Sequence, residues 1–145
     1  MNKVFLATSY TSEVGNDGHV LPAYRKQIEA LMACLARADY DVFCAPHAEG
    51  WKINDHDPIE AFNMDIAELE KADLVVAYVK LNPPSVGVQF ELGMTFAKKK
   101  PIILIHHESD KLPYMNLGLV ASDDVTELVY SDSNEVVGRL EQILG

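Results

Sequence analysis

The sequence predicts an α/β fold of three layers, a five-stranded parallel sheet flanked by helices, with a flavodoxin-like or Rossmann-like strand order. Three observations predict it. Short apolar runs alternate with longer segments of helical periodicity along the whole chain. The run at 73–79 is apolar almost without interruption, as a central strand covered on both faces must be. The 145 residues carry 48% hydrophobic side chains and no repeat, so one domain over 1–145 with a sizeable core is expected.

Residues 3–8 form the first strand, an apolar run that ends in small polar residues. Gly15, Asn16, Asp17 and Gly18 then make 9–19 a loop. From 22 to 38, Ile28, Leu31, Met32 and Leu35 recur at helical spacing beside Arg25, Lys26, Glu29 and Arg37, which predicts an amphipathic helix. Residues 41–45 read as the second strand. The loop at 46–57 carries His47, Trp51 and His56 and is long for a strand-to-helix connection, where about two to six residues are usual. A helix over 58–71 opens on Pro58, tolerated in a first turn, and its apolar stripe is Ile59, Phe62, Ile66 and Leu69. The strand at 73–79 ends at Asn82-Pro83-Pro84-Ser85. A third helix over 86–99, a fourth strand over 101–105, a weaker fifth at 127–130 and a closing helix at 134–144 complete the alternation.

Composition limits the partners. A net charge of −10 argues against nucleic acid, whose phosphates are met by clustered Lys and Arg. The first nine residues are too short and polar for a signal peptide, and no run nears the ~18–20 apolar residues of a membrane span, so a soluble cytoplasmic protein is expected. Cys34 and Cys44 lack metal-type spacing and read as buried thiols; no metal and no cofactor is expected.

Two acids stand at the edges of one predicted strand-helix unit, where open α/β sheets place ligands. Glu91 lies in the early turns of the helix after Ser85, where the helix dipole favours its ionised form and apolar Val88, Phe90 and Leu92 oppose it by desolvation. An ionised, poorly solvated carboxylate is a fair nucleophile. The plainer reading of Glu91 is an acid that complements the dipole. Asp65 sits mid-helix among Glu60, Glu68 and Glu70, where a solvated surface charge is the plain reading, but it borders the apolar stripe. The turn at 82–87 offers the Ser85 hydroxyl and helix-start amides as a phosphate or ribose cradle, with Gly87 allowing close approach. His47, His106 and His107 read as solvated residues of loops or strand ends, and Trp51 as a packing anchor before a stacking platform.

Asp65, Ala72-Asp73-Leu74-Val75-Val76, then Ser85-Val-Gly-Val-Gln-Phe-Glu-Leu-Gly93 and Lys100-Pro101-Ile-Ile-Leu104, in this order, resemble the nucleoside 2-deoxyribosyltransferase superfamily. The resemblance runs from strand one to strand five and is densest from 65 to 104. It implies retaining displacement at an anomeric carbon, with Glu91 as nucleophile and Asp65 handling the proton of the departing base, as in paired-carboxylate glycosidases. It implies a nucleoside or nucleoside monophosphate substrate, with Phe5, Thr8, Ser9, Trp51, Ser85, Gly87 and Asn116 in the binding set. Ser85 stands where the family's transferases tend to be acidic and its nucleotide hydrolases have a phosphate-binding serine. This favours cleavage of a 5′-monophosphate over base exchange between deoxynucleosides. The first loop lacks the arginine of those hydrolases, so backbone amides near Thr8, Ser9 and Ser85, with Arg25 or a histidine, would have to compensate. Phe5 replaces a tyrosine common in the deoxyribosyl enzymes, which leaves ribose against deoxyribose open. The resemblance also implies a homodimer or larger assembly, with 107–116 reaching a neighbour's site through Met115 and Asn116. A nucleotide-binding domain without turnover is the reading from another class.

Overall fold

A computed structural model gives the structure of the protein and describes residues 2–9, 12–52 and 56–145. The parts of the two expected loops at 10–11 and 53–55 lie outside the described residues. Five parallel strands, β1 (Asn2–Thr8), β2 (Tyr40–Phe43), β3 (Leu74–Tyr78), β4 (Ile102–His107) and β5 (Val125–Tyr130), form one sheet in the order β2-β1-β3-β4-β5. The register sets Phe5 beside Phe43 and Val75, and Val76 beside Ile103. Alternate side chains of β1 and β3 therefore enter two different cores. Val4, Leu6, Val76 and Tyr78 pack with α1 (Pro22–Arg37) and α6 (Val136–Leu144) on one face. Phe5, Ala7, Val75 and Ala77 pack on the other with α3 (Pro58–Lys71) and α4 (Val86–Ala97). The expected three-layer fold is the observed one.

Where expectation and structure differ, the cause is local. The second strand stops at Phe43, because Cys44 is extended and caps a short helix, α2 (Ala45–Ala48), with Pro46 in its first turn. β4 runs two residues beyond the expected 105, through His106 and His107. His106 is not a solvated loop residue: it is 3% exposed, with Nε2 2.6 Å from Glu127 Oε2 on β5 and Nδ1 3.0 Å from the His107 carbonyl. A short helix, α5 (Tyr114–Val120), occupies a stretch whose apolar residues show no amphipathic period; only Asn116 of it is buried. The closing helix begins at Val136 after a 3-10 turn at Ser133–Glu135, where the Asp132 side chain accepts from the Asn134 N–H.

The two loops at the carboxyl edge of β1 and β2 pair with each other. Val20 N–H donates to the Trp51 carbonyl, and His19 and Lys52 form an antiparallel bridge. Trp51 holds a left-handed backbone (φ 66°), costly for a bulky residue, and its buried ring offsets that cost. The Arg25 guanidinium lies 4.9 Å over the ring, and His47 meets it edge-on at 5.8 Å.

The apolar stripe of α3 is mostly not covered. Leu69 is buried, but Ile59 is 70% and Phe62 53% exposed. The contrast predicts that Leu69→Ala costs about 2–5 kcal/mol in chemical denaturation, whereas Ile59→Ala stays within about 0.5 kcal/mol in the isolated chain.

Candidate active site

The strand order reverses between β1 and β3, so a crevice opens at their carboxyl ends. A cleft of about 100 Å3 lies there, floored by β1 from Phe5 to Thr8 and walled by α2 at Ala45 and Pro46, by Asp65 of α3, and by Ser85, Gly87 and Glu91 of α4. Both acids thus reach one cleft from separate helices. Helical geometry explains how. Val88, Leu92 and Thr95 turn α4 toward the sheet, and Glu91, one position before Leu92, flanks that face. Asp65 stands one turn ahead of Leu69, the buried residue of α3. Both carboxyls are half-buried.

Burial raises both acids. Desolvation pushes Glu91 up to about 8, with the Asp65 charge adding to it, and pushes Asp65 up to about 6, with the Glu49 charge adding. The two titrate as a pair that holds one proton between about pH 6 and 8. The expectation that the helix dipole keeps Glu91 ionised does not hold. Glu91 is in the second turn of α4, and the dipole's effect fades within the first. The chemistry open to such a pair is nucleophilic attack by the ionised member and proton donation by the other. Cys44 lies close enough to feel both charges, but burial foremost pushes its thiol up to about 12, so it stays neutral.

Phe5, Thr8, Ser85 and Gly87 of the expected binding set line this cleft with the two acids. Phe5 is 1% exposed with its ring 5.4 Å from that of Phe43, and the buried Thr8 hydroxyl has no hydrogen-bond partner among the described residues. The Ser85 hydroxyl accepts from Val88 N–H as the cap of α4. A Cβ on Gly87 would meet only Ser85 Oγ, at 3.9 Å, so protein packing does not demand glycine there. Ser9, Trp51 and Asn116 stand elsewhere. The Ser9 hydroxyl takes the Lys80 N–H at 3.3 Å, and Trp51 anchors the opposite face. Asn116, 2% exposed, exchanges two side-chain hydrogen bonds with Gln89, at 2.6 and 3.2 Å. Sequence reasoning missed Ala45, Pro46 and Glu49; Pro46 just after a strand was the available signal. Among the described residues no group of three or more His, Cys, Asp and Glu is placed to hold a metal ion.

A second, apolar groove of about 860 Å3 separates α4 from α5, lined by Leu92, Phe96, Met115 and Leu117 among others. Tyr114 and Met115 beside it are 88% and 78% exposed.

The family model described as nucleoside 2-deoxyribosyltransferase matches residues 15–137. A Thermofilum pendens protein that carries the provisional name 2′-deoxynucleoside 5′-phosphate N-hydrolase 1 is 33% identical over 89 residues, 60% of each chain, so the matched stretch spans less than two thirds of that relative. The solution structure of BlsM is 26% identical with a TM-score of 0.79, covering 99% of this chain and 89% of that one. The Clostridium botulinum CMP N-glycosidase BcmB, at 23% identity, shares the fold with a TM-score of 0.74 over 98% of this chain and 99% of its own.

Folding raises both carboxyl pKa values, so above the unfolded-chain values of about 4 the native state keeps protons that the unfolded chain has lost. Stability is therefore expected to fall as pH rises through about 8. Glu91→Gln, which removes the larger shift, should raise the unfolding free energy at pH 8 by on the order of 1–2 kcal/mol, after discounting for partial solvent screening, and change it little at pH 4. Parallel urea titrations at the two pH values measure this.

Proposed function

Because the chain belongs to the nucleoside 2-deoxyribosyltransferase family, we propose that it breaks the N-glycosidic bond of a nucleoside or nucleoside 5′-monophosphate by a two-step displacement. The observation that carries this reading is the convergence of Asp65 and Glu91 on one partly dry cleft. The Glu91 carboxylate attacks C1′ and forms a glycosyl ester. The bond from C1′ to the base nitrogen breaks, and the base leaves with the electron pair and takes a proton from Asp65. Water then attacks C1′ and gives its proton to Asp65, which frees Glu91 and releases a sugar with a hydroxyl at C1′. At rest the shared proton favours Glu91, the weaker acid. Positive charge developing on the sugar favours the productive arrangement, with Glu91 ionised and Asp65 protonated. Hydrolysis is placed ahead of base exchange because the named relatives include an N-hydrolase and an N-glycosidase.

The reading has kinetic consequences. Below about pH 6 both acids are protonated and no nucleophile remains; above about pH 8 both are ionised and no proton is left for the base. The kcat/KM profile should be bell-shaped between those limits. Glu91→Gln should abolish base release for every substrate. Asp65→Asn should slow natural substrates about 10²–10⁴-fold but spare a substrate whose leaving group needs no proton. An added free base that appears in new nucleoside would instead establish the transferase.

A second copy of the chain is the proposed cover for the groove between α4 and α5. Exposed Tyr114, Met115 and Leu117, with Val86 and Phe90 on the outer side of α4, make an apolar surface of the kind that marks an interface. Light scattering should give a dimer or larger species, and Met115→Glu together with Leu117→Asp should give a folded monomer.

A further inference from the structure

We infer that Gln89 and Asn116 are positioning residues for Glu91: their paired amides fix the roll of α4 about its own axis and so hold the carboxyl in the cleft. The inference rests on the proposed displacement at C1′. Residues two apart in a helix point about 200° from each other, so Gln89 and Glu91 leave opposite flanks of α4. Glu91 lines the cleft with Asp65, and Gln89 lines the groove toward α5. There Gln89 Nε2 donates to Asn116 Oδ1 at 2.6 Å, and Asn116 Nδ2 donates back to Gln89 Oε1 at 3.2 Å. Asn116 is the buried residue of α5, so little water competes for the pair. A second copy seated in the groove would cover this pair and leave its bonds in place.

The other contacts of α4 do little against rolling. Val88 and Leu92 meet the apolar layer through contacts that have no direction. The Thr95 hydroxyl donates to the Glu91 carbonyl within the helix, and Ser85 caps its first turn. Hydrogen bonds do have direction, and the amide pair supplies two of them on one flank. A roll of about 20° carries a side-chain tip at the ~5–6 Å helix radius through about 2 Å. A misplacement of about 1 Å can cost a reaction about 10²-fold. A similar pairing steadies the turn before the helix: Asn82 Nδ2 donates to the Lys111 carbonyl at 2.8 Å, and Asn82 Oδ1 accepts the Lys111 N–H at 2.7 Å. The segment from Lys111 to Asn116 thus braces both the turn and the helix that carry the cleft's wall. Asp65 on α3 is the charged group that acts on Glu91; Cys44 beyond β2 stays neutral, and Glu49 acts on Asp65. An outward roll would give Glu91 more water and more distance from Asp65, and both ease its ionisation.

Replacing both amides by apolar side chains of similar size, Gln89→Met with Asn116→Leu, tests the inference, since a pair that only stabilises the fold can be exchanged in this way at little cost. The expected result is a kcat about 10–100-fold lower with KM within about threefold. The high-pH limb of the rate profile and the Glu91 titration, followed by NMR of its carboxyl carbon, should both move about one pH unit lower. Gln89→Asn with Asn116→Gln, which keeps two facing amides of the same total length, should bring back both readings. Unchanged kcat and an unchanged Glu91 titration in the folded apolar variant would overturn the inference and leave the proposed reaction standing; so would a folded exchanged pair that stays slow. A wild-type chain that releases no base would sink the reaction, and the Glu91 titration in wild type and variant then decides the positioning by itself. If the apolar variant does not fold, NMR of the wild-type side-chain amides decides: slow exchange with water and a shift that follows the Glu91 titration, absent in Glu91→Gln, is the expected result, and rapid exchange would overturn the inference.

Discussion

Two carboxyl groups that share a space too dry for two charges govern this molecule. The site gains a proton held near neutral pH, and the cost is stability that falls between about pH 4 and pH 8, where the native state holds protons the unfolded chain has released. The sheet must hold the acids against their own repulsion. It does so by fixing α3 and α4 independently: Leu69 seats one helix, Val88, Leu92 and Thr95 the other, all on the same apolar layer. Lys100 strengthens the arrangement by donating to the Leu69 and Glu70 carbonyls at the end of α3, at 3.1 and 2.6 Å.

The two faces of the sheet are finished differently. On one, α1 and α6 close over Leu6, Val76 and Leu128, and the Tyr24, Tyr78 and Tyr130 rings stack in a row at the carboxyl edge. On the other, the helices seat their inner residues but leave Phe62 and Phe90 half exposed, their rings 6.1 Å apart. The catalytic candidates lie on the less finished face. A cleft that admits substrate needs helices that do not close over it, and an open apolar outer surface suits a second copy.

The alternation of strands and helices was legible in the sequence because each period reports directly on which face of an element is buried. The central strand needed no context, since Leu74 to Tyr78 is apolar on both faces and buried throughout. The short helices α2 and α5 were not legible. Four residues with one proline carry no period, and Tyr114-Met115-Asn116-Leu117 would read as helix or strand alike. The α3 stripe misled for a physical reason: periodicity says that a face is apolar, not that this chain alone covers it. His106 misled because a histidine at a strand end looks solvated until the neighbouring strand brings Glu127 to it.

The sequence by itself determined the strand and helix order, the acidic balance, and the two acids in register with a family motif, since each is written in local pattern. Tertiary structure decided that Asp65 and Glu91 line one cleft, that burial outweighs the helix dipole at Glu91, and that Asn116 turns inward to Gln89. These depend on which residues far apart in the chain are brought together and dried, and that is fixed only when the helices settle on the sheet.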